Sequence, residues 1–336
     1  MSKITLISPK IKGFSGTSSY VNNVINGFHN ANLDFEIRFV NKKEISLFGK
    51  PFFGIFYQAM SSKLVKASTP IVHALATEVV TSHTNVVTIH DIIPFTNPEI
   101  YIHSLYDKIA YKVAFERALK VKNLLVSTKQ GKVQLMDKLG VREENIHVVY
   151  HSIDHSKYFP DRISPYPQGE ISIVMVSDFN PRKRIDLLVK AIRNQPGISF
   201  YHMGPSQKWV NNLKIIRELA KGSNNIHILG PMDTELVRRY VSNADLFVYL
   251  SEDEGFGYPI LEAMACGTNV LINDIPVFRE LFDGYANFCK LNSFNEESII
   301  KAIKNKKSEH ELISFSKRFS IDKMTENILK VYESLS

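Results

Sequence analysis

With 336 residues, 44% of them hydrophobic and 22% charged, the chain is too long for one ordinary core and too apolar for a disordered or fibrous protein, so two domains are expected. Its formal charge of +7 lies in the first half: residues 1–165 carry 20 basic and 13 acidic side chains, residues 166–336 carry 21 of each. Two cysteines, Cys266 and Cys289, exclude a disulfide scaffold and fit a reducing cytoplasm.

The N-terminal apolar run stops at Pro9, too short for a signal segment, and no stretch approaches the ~18 apolar residues of a membrane span. Short β-rich runs follow in order: Ile4–Ser8, Glu36–Val40, Ile71–His73, Val86–His90, Asn123–Ser127 and His147–Tyr150. Helical patterns separate most of them, at Ser19–Phe28, Leu105–Lys120 and Gln130–Leu139, the last stopped by Gly140. The alternation then restarts, with strands at Ile171–Val176, Ile198–Met203, His227–Leu229, Leu246–Leu250 and Asn269–Ile272. Helices are predicted at Arg184–Arg193, Asn211–Leu219, Thr234–Asn243, Pro259–Ala265 and Val277–Phe282. Such alternation predicts an α/β chain with parallel sheets covered on both faces. Lys157–Gly169, with Pro160, Pro165 and Pro167, reads as the linker, because proline lacks a ladder donor. A helix over Ile321–Leu335 closes the chain.

The window Leu250–Thr268 carries the most chemistry. Its preceding strand delivers it to the carboxyl edge of the second sheet, where open α/β sheets bind ligands. Gly255 and Gly257 allow close backbone approach, and Pro259 suits the start of a helix whose free amides attract phosphate. Glu254 and Glu262, one in the loop and one expected in the first helical turn, are acceptors suited to hydroxyl-rich ligands. Taken alone, Glu262 is equally a helix-end acid and Glu254 a solvated loop acid. Arg182, Lys183 and Arg184 follow the first strand of the second half, where cations reach a phosphate or simply keep a loop soluble. In the first half, Gly13-Phe-Ser-Gly16 opens a helix, and His90-Asp91 ends a strand; a lone histidine there is commonly structural.

Glu254-Gly-Phe-Gly-Tyr-Pro-Ile-Leu-Glu262-Ala-Met-Ala-Cys-Gly-Thr resembles the signature of retaining, family-four-type glycosyltransferases (glycosyl transferases group 1). Val87–Pro94, Val126–Thr128, Val148–Asp154, Asn180–Asp186 and Ala244–Phe247 extend the resemblance over most of the chain. It implies a GT-B architecture, two Rossmann-like parallel-sheet domains facing across a cleft. The expected boundaries are 1–160 for the acceptor side, 161–320 for the donor side, and 321–336 for a terminal helix packing back on the first domain.

The resemblance implies that Glu262 holds a ribose, that Glu254 lies by the donor sugar, and that Gly255, Phe256 and Gly257 offer backbone amides. Lys183 and Arg182 are placed on the diphosphate, His90 on the donor, and Gly13, Gly16 and Asp91 on the acceptor side. The implied catalytic set is His90, Glu254 and Lys183. Relatives often carry Gly-Arg, the arginine also on phosphate, where this chain has Ser177-Asp178; Arg182 or Arg184 is expected to compensate, and Asp178 is not placed in the site, because a carboxylate there disfavours a pyrophosphate unless it points away.

The expected substrates are a nucleotide diphosphate sugar and a glycan, lipid-linked or small-molecule acceptor, with no cofactor and no metal required. No nucleic acid partner is expected; the basic half suits peripheral contact with an anionic membrane from the cytoplasm. A nucleotide-sugar epimerase, a glycosidase using the two glutamates, and a non-catalytic sugar-nucleotide-binding subunit are the competing readings.

Overall fold

The computed structural model describes residues 3–10, 15–40, 45–47, 50–52, 65, 67, 69–98, 105–206 and 212–335. The chain forms two compact units, Met1–Ser152 with Ile321–Ser336, and Ile153–Ser320.

The first unit holds six parallel strands: β1 (Ile4–Pro9), β2 (Phe35–Val40), β5 (Ile71–Ala74), β6 (Val86–Ile89), β7 (Asn123–Val126) and β8 (Ile146–Val148), in the order β2-β1-β5-β6-β7-β8. A separate antiparallel pair, β3 (Ile45–Leu47) and β4 (Lys50–Phe52), lies between β2 and β5 in sequence. β1, β5 and β6 are buried along their whole length, as expected where helices cover both faces and β-branched residues fill the pleats.

Helix Ile321–Glu333 belongs to this unit and packs along helix Gly16–Asn30. The two approach so closely that a Cβ on Gly27 would lie 1.9 Å from Thr325 Oγ1, so the contact depends on glycine there. A buried polar chain ties the helices to the sheet: the Tyr332 hydroxyl meets His73 Nδ1 (2.6 Å), His73 Nε2 meets Thr88 Oγ1 (2.8 Å), and Thr88 Oγ1 meets the Tyr20 hydroxyl (2.8 Å). Each group is enclosed, so each must find its partner inside the protein.

The second unit contains β9 (Ile171–Val176), β10 (Ile198–Met203), β11 (Ile226–Gly230), β12 (Leu246–Tyr249), β13 (Val270–Asn273) and β14 (Asn287–Cys289), all parallel, in the order β11-β10-β9-β12-β13-β14. This order reverses direction between β9 and β12, and a crevice is expected beyond the carboxyl ends of those two strands. β14 and the helices Glu296–Lys304 and Glu309–Ser316 were not anticipated from the sequence. β14 is three residues long, too short to show a period.

The expected linker is not free-running chain. The Tyr166 hydroxyl donates to the Tyr240 carbonyl (2.5 Å) and its ring packs on Tyr201, Phe159 lies under the Arg238 guanidinium (4.1 Å), and Asp161 pairs with Arg238 and Arg239. The prolines remove backbone donors as expected, but the aromatic side chains between them bind the segment to the second unit, whose first residue is Ile153.

Burial lowers the pKa of His73 in the first unit and of His202 in the second to about 3, so both are neutral in the fold. A folded pKa below the unfolded value gives stability that is complete above pH 6.5 and is lost as pH falls towards 3. Glu262, pushed up to about 7 by burial, acts in the opposite sense between 4.5 and 7. With His90 and His151 also lowered by burial, the imidazoles outnumber it. The melting temperature should therefore fall between pH 6.5 and 5, each deeply lowered histidine losing about 1.4 kcal/mol per pH unit. A melting temperature that holds level across this range in a pH series would contradict the assignment.

Candidate functional site

The turn after β9 is shaped by its own residues. The Asn180 side chain accepts from the Arg182 amide (3.1 Å), Pro181 opens a single 3-10 turn, and Arg184 ends it in the left-handed region at φ 52°. Beside it, Gly204 at the end of β10 has φ 142° and so little room that a Cβ would lie 1.9 Å from the Ser177 carbonyl oxygen. That close approach sets the first residue of the turn against the neighbouring strand. Lys183 is only 6% exposed, an unusual state for an ammonium without a paired anion.

The anion is Glu254, from the loop after β12. Its Oε1 accepts from Arg182 Nη1 (2.6 Å), from Lys183 Nζ, and from the Tyr249 hydroxyl (3.1 Å). Lys183 Nζ also donates to the Tyr249 hydroxyl (2.6 Å). Arg182 Nη1 reaches Ser251 Oγ (3.0 Å) and the Asp253 carbonyl, while the Glu252 amide donates to the Arg182 carbonyl (2.9 Å), joining the two loops along their backbones. Asn273 at the end of β13 fixes the Ser251 carbonyl from behind (3.0 Å).

Burial opposes ionisation of Glu254, but Arg182 and Lys183 overcome it and hold the carboxyl down at about 2. Lys183 is lowered first by burial and then by Arg182, with Glu254 and Asp178 acting against both. Asp178 lies within electrostatic reach of Lys183 and of Tyr249, while its Oδ1 accepts from the Asn180 amide (3.3 Å). Its place just beyond the carboxyl end of β9 brings its charge there. Arg184 is directed elsewhere, pairing with Glu252 (2.8 Å) and Asp186 (3.2 Å).

Helix Tyr258–Ala265 follows, with Pro259 in its first turn. Gly257 precedes it at φ 94°, and a Cβ there would sit 2.9 Å from the Phe278 ring, so any larger residue is both strained and crowded. Phe256 is buried against Tyr258 and Phe319, so its side chain anchors the loop. Glu262 lies in the second helical turn, not the first as expected, because the helix begins at Tyr258. Burial is what raises Glu262, and the Tyr158 hydroxyl contacts its carboxyl. The two glutamates therefore have different partners: Glu254 holds cations, Glu262 holds a phenol.

In the first unit, Gly13 lies outside the described residues. Gly16 is the exposed first residue of helix Gly16–Asn30, whose amide end is capped by Ser15 Oγ accepting from the Ser18 amide (3.1 Å). His90 Nε2 donates to the Leu75 carbonyl (2.9 Å), leaving Nδ1 as acceptor towards His151 Nε2 (3.3 Å). Both ring nitrogens are thus engaged within the unit, and the donor contact expected of His90 requires one of these bonds to exchange. Asp91 Oδ1 accepts from the Ile93 amide (3.0 Å), capping the turn that follows β6. Among the described residues, no group of three or more His, Cys, Asp or Glu side chains is placed to hold a metal, and no helix is long and apolar enough to cross a membrane.

Residues 160–319, which contain the whole cation cluster, match the family described as glycosyl transferases group 1. The match lies wholly within the second unit. This glycosyltransferase is 27% identical over 260 residues to the O-antigen chain mannosyltransferase RfbU of Salmonella typhimurium, covering 72% of this chain and 67% of that one. Its α/β fold, the GT-B class, is shared with a sucrose-phosphate synthase from Thermosynechococcus elongatus (TM-score 0.76, 15% identity, 99% of both chains). It is shared too with Anabaena Alr3699/HepE, solved with UDP-glucose (TM-score 0.71, 14% identity, 99% of this chain and 100% of that one).

Three members of the cluster escaped the sequence reading: Tyr249, Ser251 and Asn273. Tyr249 reads as one more buried strand residue, and its hydroxyl, ending a strand directly before the signature loop, was the available signal.

Proposed function

We propose that this glycosyltransferase moves a sugar from a nucleoside diphosphate sugar to a hydroxyl of a glycan or lipid-linked acceptor, with retention at the anomeric carbon. The observation that carries the reading is the pairing of Arg182 and Lys183 with Glu254 beyond the carboxyl ends of β9 and β12. Two enclosed cations at a strand-order reversal, followed by a glycine loop and a helix amino end, suit a diphosphate.

In the transfer, the bond from the anomeric carbon to the diphosphate oxygen breaks and its electron pair stays on the diphosphate. The acceptor oxygen bonds to that carbon on the same face, and its proton passes to a donor phosphate oxygen. Lys183, Arg182 and the amides of Gly255 to Gly257 would stabilise the charge growing on the leaving group. Glu254 and Glu262 would accept from sugar and ribose hydroxyls, His90 would contact the donor, and Gly13, Gly16 and Asp91 would lie on the acceptor side.

The likeness to an O-antigen chain mannosyltransferase supports a cell-surface polysaccharide precursor as acceptor. The basic first half supports work against an anionic membrane face. No metal or cofactor enters the scheme.

The test is a thermal-shift panel of UDP-, GDP- and ADP-sugars. One donor at 100 times its dissociation constant should stabilise the protein by about 2.7 kcal/mol. Glu262→Ala should abolish the response. A panel without any response, or sugar release in the absence of nucleotide, would overturn the reading.

A further inference from the structure

The Glu254 Oε1 atom is crowded. It accepts from Arg182 Nη1 (2.6 Å), the Tyr249 hydroxyl (3.1 Å) and Lys183 Nζ, while a carboxylate oxygen offers about two lone pairs. The three charged side chains are 7–11% exposed, so little water shares in this neutralisation. The cations do not need Glu254 for their positions. Arg182 is separately anchored to Ser251 Oγ (3.0 Å) and the Asp253 carbonyl, and Lys183 to the Tyr249 hydroxyl (2.6 Å). What Glu254 supplies is charge, in the place where an incoming diphosphate would find its counter-ions.

From this geometry we infer that Glu254 is a resident counter-ion that makes diphosphate binding conditional on an attached sugar. The inference rests on the donor reading given above. A diphosphate taking Lys183 and Arg182 displaces the carboxylate, which then sits beside a second anion in an enclosed site. A bare nucleoside diphosphate gives it no new donor. A nucleotide sugar brings hydroxyls, and these replace the three donors that Glu254 gives up. Gly255, directly after Glu254, lets the loop make that exchange. The same step favours release of the spent nucleotide: once the sugar has left, Glu254 returns to the cations and competes with the diphosphate.

The experiment compares calorimetric affinities for UDP, GDP and ADP with those for UDP-glucose, GDP-mannose and ADP-glucose, in the wild type, Glu254→Gln and Glu252→Gln. Glutamine keeps the shape but removes the charge, so Glu254→Gln should bind its matching nucleoside diphosphate at least about 10-fold tighter. It should bind the corresponding nucleotide sugar no tighter than the wild type. Glu252→Gln makes the same charge change on the same loop but faces the outer Arg184, and its ratio should stay within about 3-fold of the wild type.

An unchanged or weakened diphosphate affinity in Glu254→Gln overturns the proposal. So does an equal gain in Glu252→Gln, which would reveal a general field effect. If the wild type binds neither class of nucleotide, the donor reading falls and takes this proposal with it. Binding of both classes with an unmoved ratio removes this proposal alone. Should Glu254→Gln fail to fold with two enclosed cations uncompensated, Glu254→Asp gives the same readout. Its carboxylate, one methylene shorter, should raise diphosphate affinity at least about 3-fold, and no gain overturns the proposal.

Discussion

Lys183→Met lowers kcat/KM by about 10²–10³-fold with the donor identified by the melting panel, the loss typical when one preorganised donor to a developing oxyanion is removed. The side chain is enclosed and held by Tyr249 and Glu254, so methionine can fill much of the same space while leaving Glu254 paired with Arg182. The melting temperature should therefore change far less than the rate. Steady-state kinetics over a donor series checks this, and retention of activity within about 10-fold would remove Lys183 from the transition state.

Tyr332→Ala destabilises the first unit by about 3–5 kcal/mol, the usual range for deleting a buried aromatic ring. The ring packs edge-on against Phe28 and its hydroxyl is a partner of His73, which has no access to water. Tyr332→Phe separates the two contributions: the ring remains, His73 Nδ1 loses its bond, and the cost should be about 1–3 kcal/mol. Urea unfolding followed by a probe in the first unit gives both values. Equal, small effects from both substitutions would mean that helix Ile321–Glu333 contributes little to that unit.

Much of the architecture was legible because parallel α/β structure has a strong pattern. Ile171–Val176 and Ile198–Met203 were read to the residue, since continuous apolar runs bounded by turns admit few alternatives at that length. β14 and the two helices after it were missed, and the segment at Lys157–Gly169 was misread as linker. Its prolines are visible in sequence, whereas the surfaces that receive Phe159 and Tyr166 are assembled from Tyr201, Arg238 and Tyr240, far along the chain.

The site divides in the same way. The glycines, Pro259, the two glutamates and the basic triplet announced themselves by residue type and spacing, and with them the family to which residues 160–319 conform. Local chemistry is enough for that, because φ preference, helix starts and charge are properties of neighbouring residues. That Glu254 neutralises Lys183 and Arg182, that Tyr249 joins them, that Asp178 acts on Lys183 and that Arg184 turns away towards Glu252 were decided only in three dimensions. Residues some 70 positions apart meet because the sheet order places β9 beside β12, and burial then requires every charge brought there to find a partner.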